Sequence, residues 1–141
     1  MSENINKIQD EIIKEFSKLD DWFDKYNYLI KLGKNLNSSD RKLKTEKNLM
    51  NGCQVNVWIK AESKNGKIQY QADSDSLITK GIIYLLLRVL NDRFPNEILN
   101  ANLFFIDKIG LNSNLSPSRA NGLIAILSQI KSFAENSVNI K

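Results

Sequence analysis

The sequence predicts an α+β domain in which a small antiparallel sheet of two to three strands packs against several helices, in the order helices, strands, helices. Apolar residues spaced three and four apart dominate both ends of the chain, and strict alternation occupies the middle. An Asn65-Gly66 pair separates two alternating segments, as in a β-hairpin. With 141 residues and 42% hydrophobic content, the chain is expected to form one domain over residues 1–141.

Two helices are predicted at the N-terminal end. The first runs from about Asn4 to Lys18, with an apolar stripe of Ile5, Ile8, Ile12, Phe16 and Leu19. Asp20 or Asp21 caps the second, and Gly33 is expected to end it in a left-handed conformation. Its apolar face contains Trp22, Tyr26, Leu29 and Ile30. The two helices are expected to pair as a hairpin, followed by a long polar connection over 34–46.

The middle of the chain predicts the sheet. Residues 47–50 are expected to form a short strand, and a longer strand begins at Gln54. Asn65-Gly66 favours the positive backbone angles of a tight turn, after which the chain returns as an antiparallel strand. Apolar residues at alternate positions share one face of the two strands: Val55, Val57, Ile59 and Ala61 in the first, and Ile68, Tyr70 and Ala72 in the second. Trp58 points to the other face, where it is expected to pack under a helix.

The remaining residues predict helices. The polar residues 73–76 offer N-caps for a helix to about Leu90 that is apolar on most sides and therefore central to the core. Pro95 suits the first turn of a short helix, and Leu103 to Ile109 predicts another that ends at Gly110. Ser116-Pro117 opens the last helix. Its inward residues are expected to be Leu123, Ile124, Leu127, Ile130 and Phe133.

The composition excludes several function classes. One cysteine and no histidine rule out a cysteine/histidine dyad, a serine/histidine/aspartate triad and a histidine-containing zinc site. A lone cysteine forms no intrachain disulfide, residues 1–18 are charged throughout, and a cytoplasmic, reducing compartment is expected. The longest apolar run, residues 81–87, is too short for a bilayer helix. The net charge of +4 is dispersed along the chain, so neither a nucleic acid nor a membrane is an expected partner.

The single cysteine, Cys53, is the first candidate for chemistry. A free cysteine is more often buried and inert than reactive. Here Gly52 permits a sharp turn, and the flanking Asn51 and Gln54 are polar, unlike the neighbours of a core-filling cysteine. This context favours a thiol that meets a partner.

Several short motifs follow one another along the chain. They are Gly52-Cys53-Gln54, Val57-Trp58, Asp73-Ser74-Asp75 followed by Ile78, Lys80 and Gly81, Leu115-Ser116-Pro117-Ser118-Arg119, and Gly122-Leu123. In this order and spacing they resemble the SufE family of sulfur acceptors for cysteine desulfurases. The likeness runs from about Phe16 to Ala134, and residues 26–33 are similar to the family's second helix. The family usually has a serine where this chain has Val55.

The resemblance implies a SufE/IscU-like fold and a role as sulfur carrier and desulfurase activator, without a catalytic reaction or cofactor of its own. Cys53 would take persulfide sulfur from a SufS-like cysteine desulfurase and relay it to an iron–sulfur assembly scaffold complex. Gly52, Gln54, Asp75, Arg119 and Asp107 would support the thiol or contact the partner. Asp75 could equally be a helix cap, and Asp107 could pair with Arg119 or remain solvated.

Two alternatives remain open at this stage. A related, CsdE-like acceptor would serve a different desulfurase and thiolation pathway. An iron–sulfur scaffold of similar architecture is disfavoured because such scaffolds commonly use several cysteine ligands, and this chain has one.

Overall fold

Helices occupy both ends of the chain and a β-hairpin its middle, which confirms the predicted fold class. The computed structural model describes residues 4–36, 43–50 and 55–139. Within these ranges the elements are α1 (Ile5–Ser17), α2 (Trp22–Gly33), a 3₁₀ turn (Glu46–Asn48), β1 (Val57–Lys64), β2 (Lys67–Ser74), α3 (Leu77–Leu90), α4 (Pro95–Asn100), α5 (Phe105–Lys108), α6 (Leu111–Asn114) and α7 (Pro117–Asn139).

The sheet is formed by β1 and β2, which pair antiparallel with Val57 opposite Ser74 and Lys64 opposite Lys67. At the turn, Asn65 and Gly66 have φ angles of 56° and 83°, as the Asn-Gly signal predicts. The prediction of a further strand over residues 47–50 is largely wrong. The chain there forms the 3₁₀ turn, and Leu49 then makes an isolated antiparallel bridge to Trp58.

The core is built around α3, whose buried residues lie on most of its circumference. Helix α2 packs along α3, and α1 lies against α3 and α5. Helix α7 packs mainly on α4 and also touches the sheet, where the Tyr70 hydroxyl donates to the Ile130 carbonyl at 2.7 Å. Burial raises the pKa of Tyr70. In the part of the chain that the structure describes, no helix combines the length and apolar character needed to cross a bilayer.

Three expectations about individual residues are wrong. Gly33 does not adopt a left-handed conformation; it stays helical and meets Gly81 where α2 crosses α3. Ile124 is 66% exposed, because Leu123 and Ile126 take the inward positions on that turn of α7. Trp58 is partly buried but lies outside the hydrophobic core, on the outer face of the sheet.

Helices α1 and α2 do touch, although α2 packs mainly on α3. The contact is an edge-on pairing of the Phe16 and Tyr28 rings at 5.1 Å. Beside it the Glu15 carboxylate accepts hydrogen bonds from the Tyr28 hydroxyl at 2.7 Å and from Arg88 Nη1 of α3 at 3.1 Å. The Arg88 guanidinium lowers the pKa of Glu15, and burial together with Glu15 raises the pKa of Tyr28 to about 12. Glu15 therefore joins three helices.

This network predicts a pH dependence of stability. Because the pKa of Glu15 is lowered in the folded protein, its contribution is complete above the unfolded value of 4.5 and is lost as the pH falls through the folded value. The Glu15→Gln variant should lose at most about 1 kcal/mol of unfolding free energy at pH 7 and progressively less toward pH 3. Urea unfolding across this range measures the difference. The matched variant Glu62→Gln, at an exposed position of β1, should parallel the wild type, and a Glu15→Gln curve that does so too would contradict the assignment.

Candidate functional site

The chain on both sides of Cys53 is held in one short ladder. Gly52, Cys53 and Gln54 lie outside the described residues, as does the predicted start of the strand at Gln54. The Met50 N–H donates to the Val57 carbonyl at 2.8 Å, next to the Leu49–Trp58 bridge. We call residues 43–50 the incoming arm and residues 55–56 the outgoing arm. Met50, at the end of the incoming arm, is therefore tied to β1, and we call residues 51–54, between the two arms, the cysteine segment.

Asp75 anchors the outgoing arm. One of its carboxylate oxygens accepts the Asn56 N–H at 3.1 Å, while the Asn56 carbonyl accepts the Ser74 hydroxyl at 2.7 Å and the Asp75 N–H at 3.3 Å. The N-cap of α3 is instead Ser76, whose Oγ accepts the Thr79 N–H at 3.4 Å. The interpretation of Asp75 as a helix cap is therefore wrong: this exposed carboxylate fixes the chain just after the cysteine segment.

Asp73 is fully buried, with 0% of its side chain exposed. Lys44 Nζ of the incoming arm lies 3.1 Å from one carboxylate oxygen, and Lys80 Nζ of α3 lies 3.5 Å from the other. Lys44 Nζ also sits 5.3 Å from the centre of the Trp58 ring. The expectation that Asp73 joins a partner-facing acidic patch is wrong, because the carboxylate lies directly across the hairpin from Trp58 and is enclosed by the lysines.

Arg119 lies in the first turn of α7, where its side chain is exposed and its N–H donates to Ser116 Oγ at 3.4 Å. It borders a small cavity of about 80 Å³ that Val55 of the outgoing arm also lines. Most of the other lining groups are apolar side chains of β1, α3 and α7, and Thr79 and Ser118 add hydroxyls. The structure thus brings Arg119 and the residue at the usual serine position to the same cavity.

Asp107 does not join this group. It is exposed on α5 and accepts a hydrogen bond from the side-chain amide of Asn112. Among the residues described, no ion pair links it to Arg119, so of the two roles left open for Asp107 the structure favours the solvated one. Asp107 instead borders a cavity beside residues 123–131 of α7, beyond the turn that carries Arg119.

The sequence did not predict the ion pairs of two lysines near the site. Lys44 falls in the polar connection, where no periodicity identifies a residue that turns toward the sheet. Lys80 belongs to the motif that begins at Asp73, but its spacing in the sequence does not predict that its ammonium lies beside the Asp73 carboxylate. Both were missed because the carboxylate that they share becomes buried only when the hairpin, the incoming arm and α3 come together.

Comparison with known proteins decides the family. The family model for SufE, described as an Fe-S metabolism associated domain, matches residues 10–134. The chain belongs to the SufE family. An uncharacterized SufE-like protein of Rhizobium meliloti is 35% identical to this SufE-family chain over 131 residues, which cover 89% of the chain and 94% of the relative.

Two further similarities differ in extent. A protein of Arabidopsis thaliana named SufE-like protein 1, chloroplastic/mitochondrial, is 42% identical over 120 residues, 83% of this chain but only 32% of that protein. The solution structure of a hypothetical protein from Thermus thermophilus superposes with a TM-score of 0.75 at 18% identity, covering 94% of this chain and 96% of that one. The structural likeness shows that the two chains share a fold.

Proposed function

We propose that this protein is a sulfur carrier that accepts sulfur as a persulfide on Cys53 from a pyridoxal-phosphate-dependent cysteine desulfurase. The observation that carries the proposal is the SufE-family match over residues 10–134, since this region contains the chain's only cysteine. The family's description associates the domain with iron–sulfur metabolism. A single thiol is sufficient to carry one sulfur atom.

The proposed transfer needs no oxidant or cofactor on this chain. The Cys53 thiolate attacks the outer sulfur of the persulfide on the desulfurase cysteine. One sulfur–sulfur bond forms on Cys53 as the bond on the desulfurase breaks, and the desulfurase cysteine leaves as a thiolate that can be protonated. The sulfur moves with no net oxidation or reduction. Removal of the bound sulfur frees the desulfurase for its next cycle, so the carrier also acts as an activator.

The reaction requires the thiolate, yet an unperturbed thiol with a pKa of about 8.5 is only a few per cent ionised at neutral pH. Positive charge raises that fraction, and in our proposal Arg119 supplies it from the N-terminal turn of α7. Asp75 serves by holding the outgoing arm through Asn56. Gly52 and Gln54 complete the motif around the thiol. Val55 gives the shared cavity an apolar wall where a serine would offer a hydroxyl.

The proposed partners are a SufS-like desulfurase as donor and an iron–sulfur assembly scaffold complex as recipient, in a reducing, cytoplasm-like compartment that keeps the thiol free. The related proposal, a CsdE-like pairing, differs only in the donor and the pathway. Desulfurase turnover measured with several purified desulfurases separates the two, because a dedicated acceptor stimulates one of them far more than the others.

The central experiment incubates the protein with a desulfurase and free cysteine and follows its intact mass. We expect a gain equal to the mass of one sulfur atom, removable by a thiol reductant, and no gain when the desulfurase is left out. A protein that stays unmodified while the desulfurase turns over would contradict the carrier role. A stable cluster formed on the protein with iron and sulfide would instead favour a scaffold.

A further inference from the structure

Arg93 is buried, yet its guanidinium makes no hydrogen bond to any of the described residues. The side chain is only 6% exposed, and its ion-pair partner, Glu97, places Oε2 3.9 Å from Arg93 Nη1, beyond hydrogen-bond distance. In the described part of the chain, the only side-chain nitrogen or oxygen atoms that are both enclosed and without a hydrogen bond belong to Asp73. The Arg93 nitrogens therefore face open space rather than the packed core.

That space is a cleft of about 510 Å³ between the start of α1 and the end of α4. The first turn of α1 carries no acidic residue, so the positive end of its helix dipole adds to the charge of Arg93. Asparagines supply most of the remaining polar lining. The cleft is bordered by Asn4, Ile5, Asn6, Arg93, Glu97, Asn100, Ala101 and Asn102.

The walls of the cleft are fixed by bonds on their far sides. The Arg93 carbonyl accepts the Ile68 N–H at 2.9 Å, which ties this segment to β2. Gln9 of α1, which is fully buried, donates to the Asn102 carbonyl at 3.0 Å and accepts the Phe105 N–H at 3.1 Å. The guanidinium and the start of α1 are thus held in place before any ligand arrives, which lowers the cost of binding.

Glu97 decides which ligand fits. Its Oε1 accepts the Phe94 N–H at 3.1 Å, while Oε2 is the oxygen beside Arg93. This carboxylate would repel a simple anion, and phosphate most of all. A ligand with both charges meets a complementary group on each side, because a carboxylate matches the planar guanidinium and an ammonium can donate to Oε2. In an α-amino acid the two groups are attached to the same carbon, so one molecule reaches both residues.

We propose that this cleft binds a free α-amino acid, with its carboxylate on Arg93 and its ammonium on Glu97. The asparagine amides at the rim offer donors and acceptors to the rest of the molecule. None of the residues proposed for sulfur transfer lines the cleft, so this inference does not rest on the proposed function.

The test titrates the full chain with L-alanine and follows its backbone amides by NMR. We expect saturable shifts concentrated at the start of α1 and in residues 93–102, and binding of acetate and inorganic phosphate that is at least tenfold weaker at the same ionic strength. Arg93→Gln should weaken alanine binding about tenfold or more, because charge-assisted hydrogen bonds are lost. The matched variant Lys64→Gln, which removes a positive charge at an exposed position of β1, should bind alanine as the wild type does.

Glu97→Gln separates an amino-acid site from a simple anion site. The glutamine keeps an oxygen that can accept the Phe94 N–H, so the start of α4 is retained. We expect this variant to bind alanine about tenfold more weakly and acetate as tightly as the wild type or more so. If Arg93→Gln does not fold, these opposite changes decide alone: their presence supports the proposal, and equal effects on both ligands refute it. Alanine shifts that do not saturate, or phosphate that binds as tightly as alanine, would also overturn it.

Discussion

The Cys53→Ser variant is expected to take up no reductant-labile sulfur and to stimulate the desulfurase no further than an unrelated protein does. A serine hydroxyl has nearly the volume of the thiol, but its oxygen cannot form the persulfide. The loss should therefore be complete rather than graded, the largest functional effect that we expect from any substitution in the chain. Intact mass after incubation with desulfurase and cysteine measures the sulfur uptake. The rate of alanine formation measures the stimulation of the desulfurase.

The interpretation of that loss depends on the fold being retained. We expect Cys53→Ser to unfold at nearly the wild-type urea concentration and to bind the desulfurase with similar affinity, since the change is close to isosteric. A matched Ser113→Ala variant, at an exposed position of α6, should behave like the wild type in every assay. Labile sulfur on the Cys53→Ser protein would show that sulfur is carried elsewhere, and the carrier mechanism proposed for Cys53 would then be wrong.

Sequence patterns predicted those helices and turns whose formation depends on residues that are close together in the chain. The stripe of α1, the Asn65-Gly66 turn and the proline at the start of α4 all lie where their patterns place them. Gly33 shows the limit of such reasoning. A glycine at the end of an apolar pattern has two common roles, a left-handed stop and a close approach to another helix, and only the packing of α2 on α3 selects between them.

The candidate site also combines features that the sequence suggests with features that depend on tertiary structure. The thiol that we propose as the reactive group could be named from the sequence, because Cys53 and its neighbours form a contiguous motif. The surrounding charges could not, because Lys44, Asp73 and Lys80 meet only through tertiary structure. Asp107 shows the same limit: the sequence left open whether it pairs with Arg119 or stays solvated, and the fold places it at an exposed position beside Asn112. Motifs thus suggest the chemistry, while the fold determines which side chains lie near them.

Gly81→Ala is expected to have the largest effect on stability. A Cβ at this position would lie 2.1 Å from the Leu29 carbonyl oxygen and 2.7 Å from its carbon, both backbone atoms of α2. The backbones of α2 and α3 are equally close at Gly33, where an added Cβ would lie 2.7 Å from the Gly81 nitrogen. A small shift of a flexible side chain therefore cannot relieve the clash. The helices must separate to admit the methyl group, and the packing of α2 on α3 is lost along part of its length. We expect a decrease of about 3 kcal/mol or more in the free energy of unfolding.

A loss of this size is a large share of the roughly 5–15 kcal/mol that stabilises a typical domain. Gly122→Ala provides the matched control, since it makes the same chemical change within a helix where, apart from the adjoining residues and backbone of that helix, no described atom lies within 4 Å of the added Cβ. Alanine is the better helix former by up to about 1 kcal/mol, so this variant should be as stable as the wild type or more so. Urea unfolding of the three proteins compares them directly. Equal midpoints for Gly81→Ala and the wild type would mean that the backbones of α2 and α3 are not in contact at Gly81, and the close crossing would have to be abandoned as the reason for both glycines.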